Sequence, residues 1–250
     1  MQALILGCGE AFDERLPNTS VLVRTGEASI LLDCGYSVPP RVWAAVLDDS
    51  ELDAIYLTHA HADHYFGVPA LLGRMWEAGR TKPLTIMSQQ AVLDQIRALM
   101  ELAYRTLAAR FEFEIEYRPV KPGESVELCG STFDFAETHH AVTNVAVRLR
   151  HGGKAMCYSG DGMFTRASRE LYRGADLVVH EAYRFEKSPV HGDIPSLLEM
   201  AGEEGVGKLA LVHVQRGLRR DPGQVMEAMS AAKADCVMPE PGAKMLTQEP

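Results

Sequence analysis

The segment 57-LTHAHADHYFG-67 places His59, His61, Asp63 and His64 within six residues, just beyond an apolar run. Three of the chain's nine histidines stand here. Imidazole nitrogens and a carboxylate at this density suit a borderline-hard divalent cation such as zinc. His59 and His61, two positions apart in an extended loop, can aim at one ion, whereas Asp63 and His64 project elsewhere and can serve a second. A carboxylate with two oxygens can bridge such a pair and offset its charge. Ions about 3.5–4 Å apart can share a water whose pKa falls towards neutrality, which gives a hydroxide nucleophile at pH 7. One histidine after a strand is commonly a satisfied hydrogen-bonding residue. Four donors crowded at one strand end would be an expensive finish without a metal.

Apolar strands must carry such donors to one place. Strand-like runs 2-QALILGC-8, 19-TSVLVRT-25 and 28-ASILLDC-34 open the chain, punctuated by Gly, Pro and Asn. A helix led by proline is expected at 39–49, then a compact strand at 53–58 that ends in the histidine cluster. Helices are expected at 67–79 and 89–109, with a strand at 84–88 between them. In the second helix Val92, Ile96, Leu99 and Ala103 share one face. The second half opens with closely spaced strands at 111–120, 123–130, 131–138, 144–150 and 154–160. Strands at 176–183, 208–214 and 235–239 then alternate with helices at 193–204 and 222–233.

Two β-rich halves, each followed by helices, imply an α/β chain of two packed sheets with helices outside, as one domain over 1–250. Four later strands end in His or Asp: 131-STFDFAETHHA-141, 155-AMCYSGDG-162, 176-DLVVHEA-182 and 208-KLALVHVQ-215. If the sheets face each other, their ends gather at one edge. His59, His61, Asp63, His64, one of His139 and His140, Asp161 and His213 would then meet there.

Composition bounds the rest. The chain has 250 residues, 46% of them hydrophobic and 24% charged, as in ordinary globular proteins. A formal net charge of −9 gives non-specific nucleic-acid binding no help from the overall field. The five cysteines are scattered and lack a CxxC pair, so reduced thiols in a cytoplasmic protein are expected. The start 1-MQALILGCGEAF-12 does not read as a signal peptide, and no apolar run reaches the ~18 residues of a membrane span.

These motifs together resemble the metallo-β-lactamase superfamily: 33-DCG-35, 58-THAHADH-64, 139-HH-140, 159-SGD-161 and His213. The resemblance implies a four-layer αββα sandwich with two divalent metal ions at one edge, zinc foremost. It assigns His59, His61, His140 and Asp161 to one ion, and Asp63, His64, Asp161 and His213 to the other. His140 is preferred to His139 because 140-HAVTNVAVRL-149 looks like the family's His–strand segment. Within the superfamily, 180-HEA-182 and 6-LGCGEAFDERLPNTSVLV-23 are similar to segments of ribonuclease Z and related phosphodiesterases. The resemblance implies catalytic roles for Asp63, which orients the bridging hydroxide, and for His191, which protonates the leaving oxygen. Gly192-Asp193 stands where that family has Ser-Thr after the histidine.

One departure narrows the expected substrate. Ribonuclease Z carries a long tRNA-gripping arm between its third and fourth ligand segments. Here only 21 positions separate His140 from Asp161, and 150-RHGGK-154 reads as a tight hairpin turn. A small or short phosphodiester is therefore expected, with weak tRNA binding. A thiolesterase of the glyoxalase II kind, or another small-substrate ester or lactam hydrolase of this fold, is the alternative; the former would be expected to have a helical substrate domain after residue 239. A flavodiiron-type redox role fits less well, because such proteins usually carry Glu where His61 stands. A structural metal clamp would leave water positions unused. Relatives of this kind often form homodimers, and 39-PPRVWAAVL-47 offers an apolar face either for that or for packing on its own sheet.

Overall fold

A computed structural model describes residues 1–46 and 48–246; Leu47, inside the expected helix at 39–49, lies outside the described residues. The first half forms β1 (Gln2–Gly7), β2 (Ser20–Arg24), β3 (Ser29–Leu32), β4 (Leu52–Tyr56), β5 (Leu84–Ser88) and β6 (Ile115–Pro119). The second forms β7 (Ser125–Leu128), β8 (Ser131–Thr138), β9 (Asn144–His151), β10 (Lys154–Tyr158), β11 (Leu177–Glu181), β12 (Lys208–Val212), β13 (Asp235–Val237) and β14 (Lys244–Met245). Among the described residues each sheet has seven strands, ordered β14-β1-β2-β3-β4-β5-β6 and β13-β12-β11-β10-β9-β8-β7. The helices are α1 (Pro39–Ala45), α2 (Ala62–Tyr65), α3 (Val68–Glu77), α4 (Gln90–Ala103), α5 (Arg166–Tyr172), α6 (Ile194–Glu203), α7 (Arg216–Arg220) and α8 (Gly223–Ala231).

The two-residue period of a strand sorts the apolar side chains into layers. Ile5, Val21, Val23, Ile30 and Tyr56 face the second sheet, where Phe133, Val147, Tyr158, Val179 and Val212 meet them in a shared core. Their neighbours Leu6, Leu22, Leu31, Ile55 and Leu57 point the other way and are covered by α1, α3 and α4. On the far side Val178, Leu209 and Leu211 pack against α5, α6 and α8. The central strands are thus buried on both faces, whereas β6, β7 and β13 stay partly exposed, and the αββα sandwich follows. The Tyr56 hydroxyl crosses the interior to donate to the Val145 carbonyl at 2.7 Å.

Parallel pairing sets where the strands end. β3, β4, β5 and β6 run parallel, as do β10, β11, β12 and β13. Parallel neighbours deliver their carboxyl ends to one edge, and there the ligand-bearing loops converge. The expected tight turn at 150–154 joins β9 to β10, with Gly152 and Gly153 at φ 58° and 76°, the left-handed geometry of a two-residue hairpin. No helix among the described residues is long and apolar enough to cross a membrane. All five cysteines are free, three of them buried.

Several boundaries differ from the sequence expectation. α1 stops at Ala45, because Val46 is already extended. α4 stops at Ala103 rather than 109, and its buried stripe is Val92, Leu93, Ile96 and Met100; Leu99 is half-buried and Ala103 is exposed. The short α2, α5 and α7 and the edge strand β14 were not expected. α5 is started by a capping box in which Thr165 and Ser168 satisfy each other's backbone N–H groups.

Arg80 secures the amino-terminal ends of β4 and β5, opposite the edge where the ligand loops converge. Its buried guanidinium donates to the carbonyls of Asp49, Leu52, Lys82 and Pro83 at 2.7–2.9 Å. Arg80→Ala leaves those acceptors without their charged donor. Urea unfolding is expected to show a loss of about 2–4 kcal/mol, and an unchanged midpoint would remove this role.

Candidate metal centre

His59 and His61 lie in the extended segment that leaves β4, as expected. Asp63 and His64 do not continue it: they sit on the single-turn α2, with His61 as its N-cap. This turn leaves the His64 ring beside that of His59, with centroids 4.1 Å apart, while its Nε2 and the Asp63 carboxylate meet each other near Asp161. The turn is held against the loop after β3, where Cys34 N–H donates to His64 O and Gly67 N–H donates to Cys34 O. Gly35 makes that approach feasible, since a β-carbon there would overlap the Asp63 carbonyl. Asp161 follows β10 behind Gly160, whose β-carbon would strike Asn144 and Thr58 and whose φ is 60°. His213 follows β12 in the left-handed region at φ 54°, an unusual conformation for a side-chain-bearing residue and one that often marks a functional position.

The structure brings the seven expected donors into two groups of four that share Asp161. One comprises His59, His61, His140 and Asp161; the other comprises Asp63, His64, Asp161 and His213. His140 rather than His139 enters the cluster, because His139 is exposed and its backbone pairs with Met163. In the first group His61 Nδ1 stands 3.0 Å from His59 Nε2 and 3.2 Å from His140 Nε2. Asp161 Oδ2 lies 3.9 and 3.8 Å from the latter two nitrogens. In the second, His64 Nε2 is 3.2 Å from Asp63 and 3.3 Å from Asp161, and His213 Nε2 is 3.2 and 3.6 Å from the same carboxylates.

The surroundings of these rings decide which nitrogens are bare. His140 Nδ1–H donates to Val190 O, and His64 Nδ1–H donates to Asp33. His59 Nδ1–H donates to Thr58 Oγ1, whose own hydroxyl donates to Asp33. The Nε2 atoms of His59 and His140 therefore both present lone pairs to His61 Nδ1, which can carry at most one proton and cannot satisfy the two together. Within the second group, buried His64 Nε2 and Asp161 Oδ1 lack a hydrogen-bond partner. A cation resolves both problems. Donors held about 2.0–2.2 Å from a tetrahedral divalent ion sit about 3.3–3.6 Å apart, close to the separations observed.

Electrostatics agree with this reading. Burial pushes His59 well below the ordinary imidazole range, and neighbouring His64 adds to the effect. Burial would also lower His64, but Asp161, Asp33 and Asp63 outweigh it and hold the ring well above that range. His213 is pushed up to about 9: burial opposes the rise, and Asp161 and the hydrogen bond that His213 donates to Asp63 overcome it. Asp161 and Asp63 stay below the usual carboxylate range despite burial, because His213 and His64 favour their charged forms. The cluster is thus built on ionised carboxylates, and metal entry would displace protons from its raised imidazoles.

His191 is not in either group. Its Nδ1–H donates to Glu181 at 2.6 Å, and its ring lines a cavity of about 360 Å³ together with His61, Asp63, His140 and His213. Sequence reasoning missed what holds these residues. Asp33 accepts from Thr58 N–H, Thr58 Oγ1, His64 Nδ1 and Tyr158 OH at 2.7–2.8 Å, in a fully buried position at φ 58°. Glu181, also fully buried, accepts from Gly162 N–H and Gly192 N–H besides His191. The signal was present: each is an acid at the end of an otherwise apolar strand.

A family model described as Anti-Pycsar protein Apyc1 matches residues 1–236. The chain belongs to this family. A curated relative of this Apyc1-family chain, the Ribonuclease Z of Mycobacterium sp. (strain KMS), is 28% identical over 264 residues, covering 96% of this chain and 91% of the relative. The metallo-β-lactamase fold protein YhfI from Bacillus subtilis superposes with a TM-score of 0.82 at 22% identity, over 98% of both chains. Human tRNase Z, short form, superposes at 0.79 with 19% identity, again over 98% of both chains. The Apyc1-family chain therefore has the metallo-β-lactamase fold, stands in its ribonuclease Z-like branch and is a metal-dependent hydrolase.

Asp33→Asn keeps the volume of the side chain and removes the charge that orients His64. Loss of such a partner commonly weakens metal affinity by about 10–100-fold. Competition with a chromophoric chelator should show that drop in folded protein; identical metal retention would leave Asp33 with a purely structural part.

Proposed function

We propose that the chain is a dinuclear zinc phosphodiesterase acting on a small phosphodiester. The observation that carries this reading is the convergence of seven imidazole and carboxylate groups into two sets joined by Asp161. His59, His61, His140 and Asp161 would hold one ion, and Asp63, His64, Asp161 and His213 the other. A donor set of imidazoles and carboxylates, with an edge open to the cavity, suits a catalytic zinc pair. When bound, such ions polarise a phosphoryl oxygen and render a water nucleophilic at neutral pH.

The chain's own groups then divide the proton work. Asp63 directs Oδ2 at His64 and His213 and keeps its other oxygen to accept a hydrogen bond from the attacking water. His191 has Nδ1 fixed on Glu181, so Nε2 is the nitrogen left to deliver a proton to the departing alkoxide. Glu181 sets the orientation of that ring. His140 and His191, with centroids 5.2 Å apart, bring the ligand cluster and the proposed acid side by side.

Substrate size follows from the walls. Relatives named ribonuclease Z and tRNase Z point to phosphodiester bonds in RNA, but three features favour a smaller substrate here. The β9–β10 connection is a two-residue turn, no lysine or arginine is among the described residues lining the cavity, and the net charge is −9. A long polyanion would find few cations to neutralise it.

Purified protein loaded with zinc should carry about two ions per chain and hydrolyse bis(p-nitrophenyl) phosphate or a cyclic nucleotide, whereas Asp63→Ala should lose one ion. Folded protein that holds two ions yet turns over no diester, while cleaving thioesters or lactams, would replace this reading. His191→Ala should retain its metals and lose about 10²–10⁴ in turnover on a diester with a poor leaving group. That loss should shrink for nitrophenyl esters, which need little protonation; equal losses on both would assign His191 another role.

A further inference from the structure

The cavity above the cluster has an apolar lip whose backbone is fixed and whose ring is left in water. Phe12 is 75% exposed, the highest value among aromatic residues of the described chain. It stands in the loop between β1 and β2, and that loop is tied down on several sides. Buried Glu10 accepts from Phe12 N–H at 2.9 Å and pairs with Arg216 Nε at 2.6 Å. Arg216 Nη1 donates to Phe12 O at 3.2 Å, and the Tyr36 hydroxyl donates to Ala11 O. Asp13 closes the loop by accepting from the N–H groups of Arg15 and Leu16. An exposed aromatic side chain of this size forgoes a large burial gain. Here it is held in place beside a reactive cavity, not left on a mobile tip.

The chemistry of the same cavity says what such a ring could take. Its described lining includes His61, Asp63, His140, Asp161 and His213 of the cluster together with His191, and no lysine or arginine. Once a phosphate is engaged at the floor, further affinity cannot come from ion pairing along the walls. The remaining large surfaces are flat: Phe12, Tyr36 and Tyr183 line the cavity, and the Tyr183 ring lies 4.7 Å from His191 at a 37° tilt. Flat apolar faces gain most from a flat aromatic partner. Stacking of that kind tolerates any base, since each presents a π-face.

We propose that Phe12, supported by Tyr36, is a stacking platform for a nucleobase carried by the diester, so that the group attached to phosphate selects the substrate. The proposal rests on the phosphodiesterase reading above and adds a specificity-determining residue to it. Phe12 is not one of the ligand groups and acts on the far end of the substrate.

The test compares a 3′,5′-cyclic mononucleotide with the corresponding abasic ribose 3′,5′-cyclic phosphate. In Phe12→Ala the ratio of kcat/KM between them should fall about 5- to 30-fold, whereas Phe12→Trp should hold or raise it. Phe12→Leu should fall with Ala, because its side chain is apolar but not planar. A wild-type ratio in either Phe12→Ala or Phe12→Leu overturns the platform. If the wild type turns over neither diester, the phosphodiesterase reading fails on its own. Calorimetric binding of a nucleoside 5′-monophosphate relative to ribose 5-phosphate then decides: a drop of the same size in Phe12→Ala supports the platform, and an unchanged ratio overturns it.

Discussion

An ionised carboxylate in a protein interior is tolerable only when hydrogen-bond donors replace its lost water, and Asp33 meets that condition four times over. Its partners come from different parts of the fold. Thr58 belongs to the loop that carries His59, His64 sits on α2, and Tyr158 ends β10 in the opposite sheet. One buried charge therefore fixes the separation of the sheets and the aim of two ligand histidines together. The left-handed backbone at Asp33 is part of the same arrangement, since it turns the carboxylate inwards as the strand ends. Remove the charge, and each of these elements loses its common reference.

Glu181 repeats the device on the second sheet. It ends β11, is as deeply buried as Asp33, and gathers the N–H groups of Gly162 and Gly192 with the ring of His191. The segment after Asp161 and the segment that carries His191 are thereby held by one side chain. A ligand loop and a cavity-lining loop cannot drift apart without leaving that carboxylate unpaired, and such a loss is severe in a low-dielectric interior. The cavity is rigid for electrostatic reasons as much as for packing.

The sequence made the sheets and the ligand cluster legible for different reasons. Short apolar runs bounded by Gly, Pro and Asn announce a strand from local pattern alone, and most strands lie within a residue or two of where that pattern puts them. The histidine cluster is legible because four donors fall in six residues. Asp161 and His213 could be read as strand-end polar residues, but only the fold shows that they meet. The short α2 was hidden because a four-residue turn has no periodicity to detect, and α5, with seven residues, is also too short to show one. Asp33 and Glu181 were seen as parts of motifs, but their work depends on partners distant in sequence, such as Tyr158 for Asp33. Phe12 carries no pattern at all; its meaning lies in being exposed where the backbone is not free.

The wiring of the sheets also dictates an order of assembly. Asp63 and His213 touch across 150 positions of chain, and β1, the first strand, pairs with β14, the last described one. On a ribosome, the first sheet would emerge with its own half of the cluster bare and with the edge of β1 unpaired. Neither deficit can be repaired from within that half. Such long-range closures fold slowly, and they leave unpaired strand edges open to other chains. The same topology that gathers distant donors into one centre therefore makes the first sheet dependent on β14, and the cluster becomes complete only once His213 has been made.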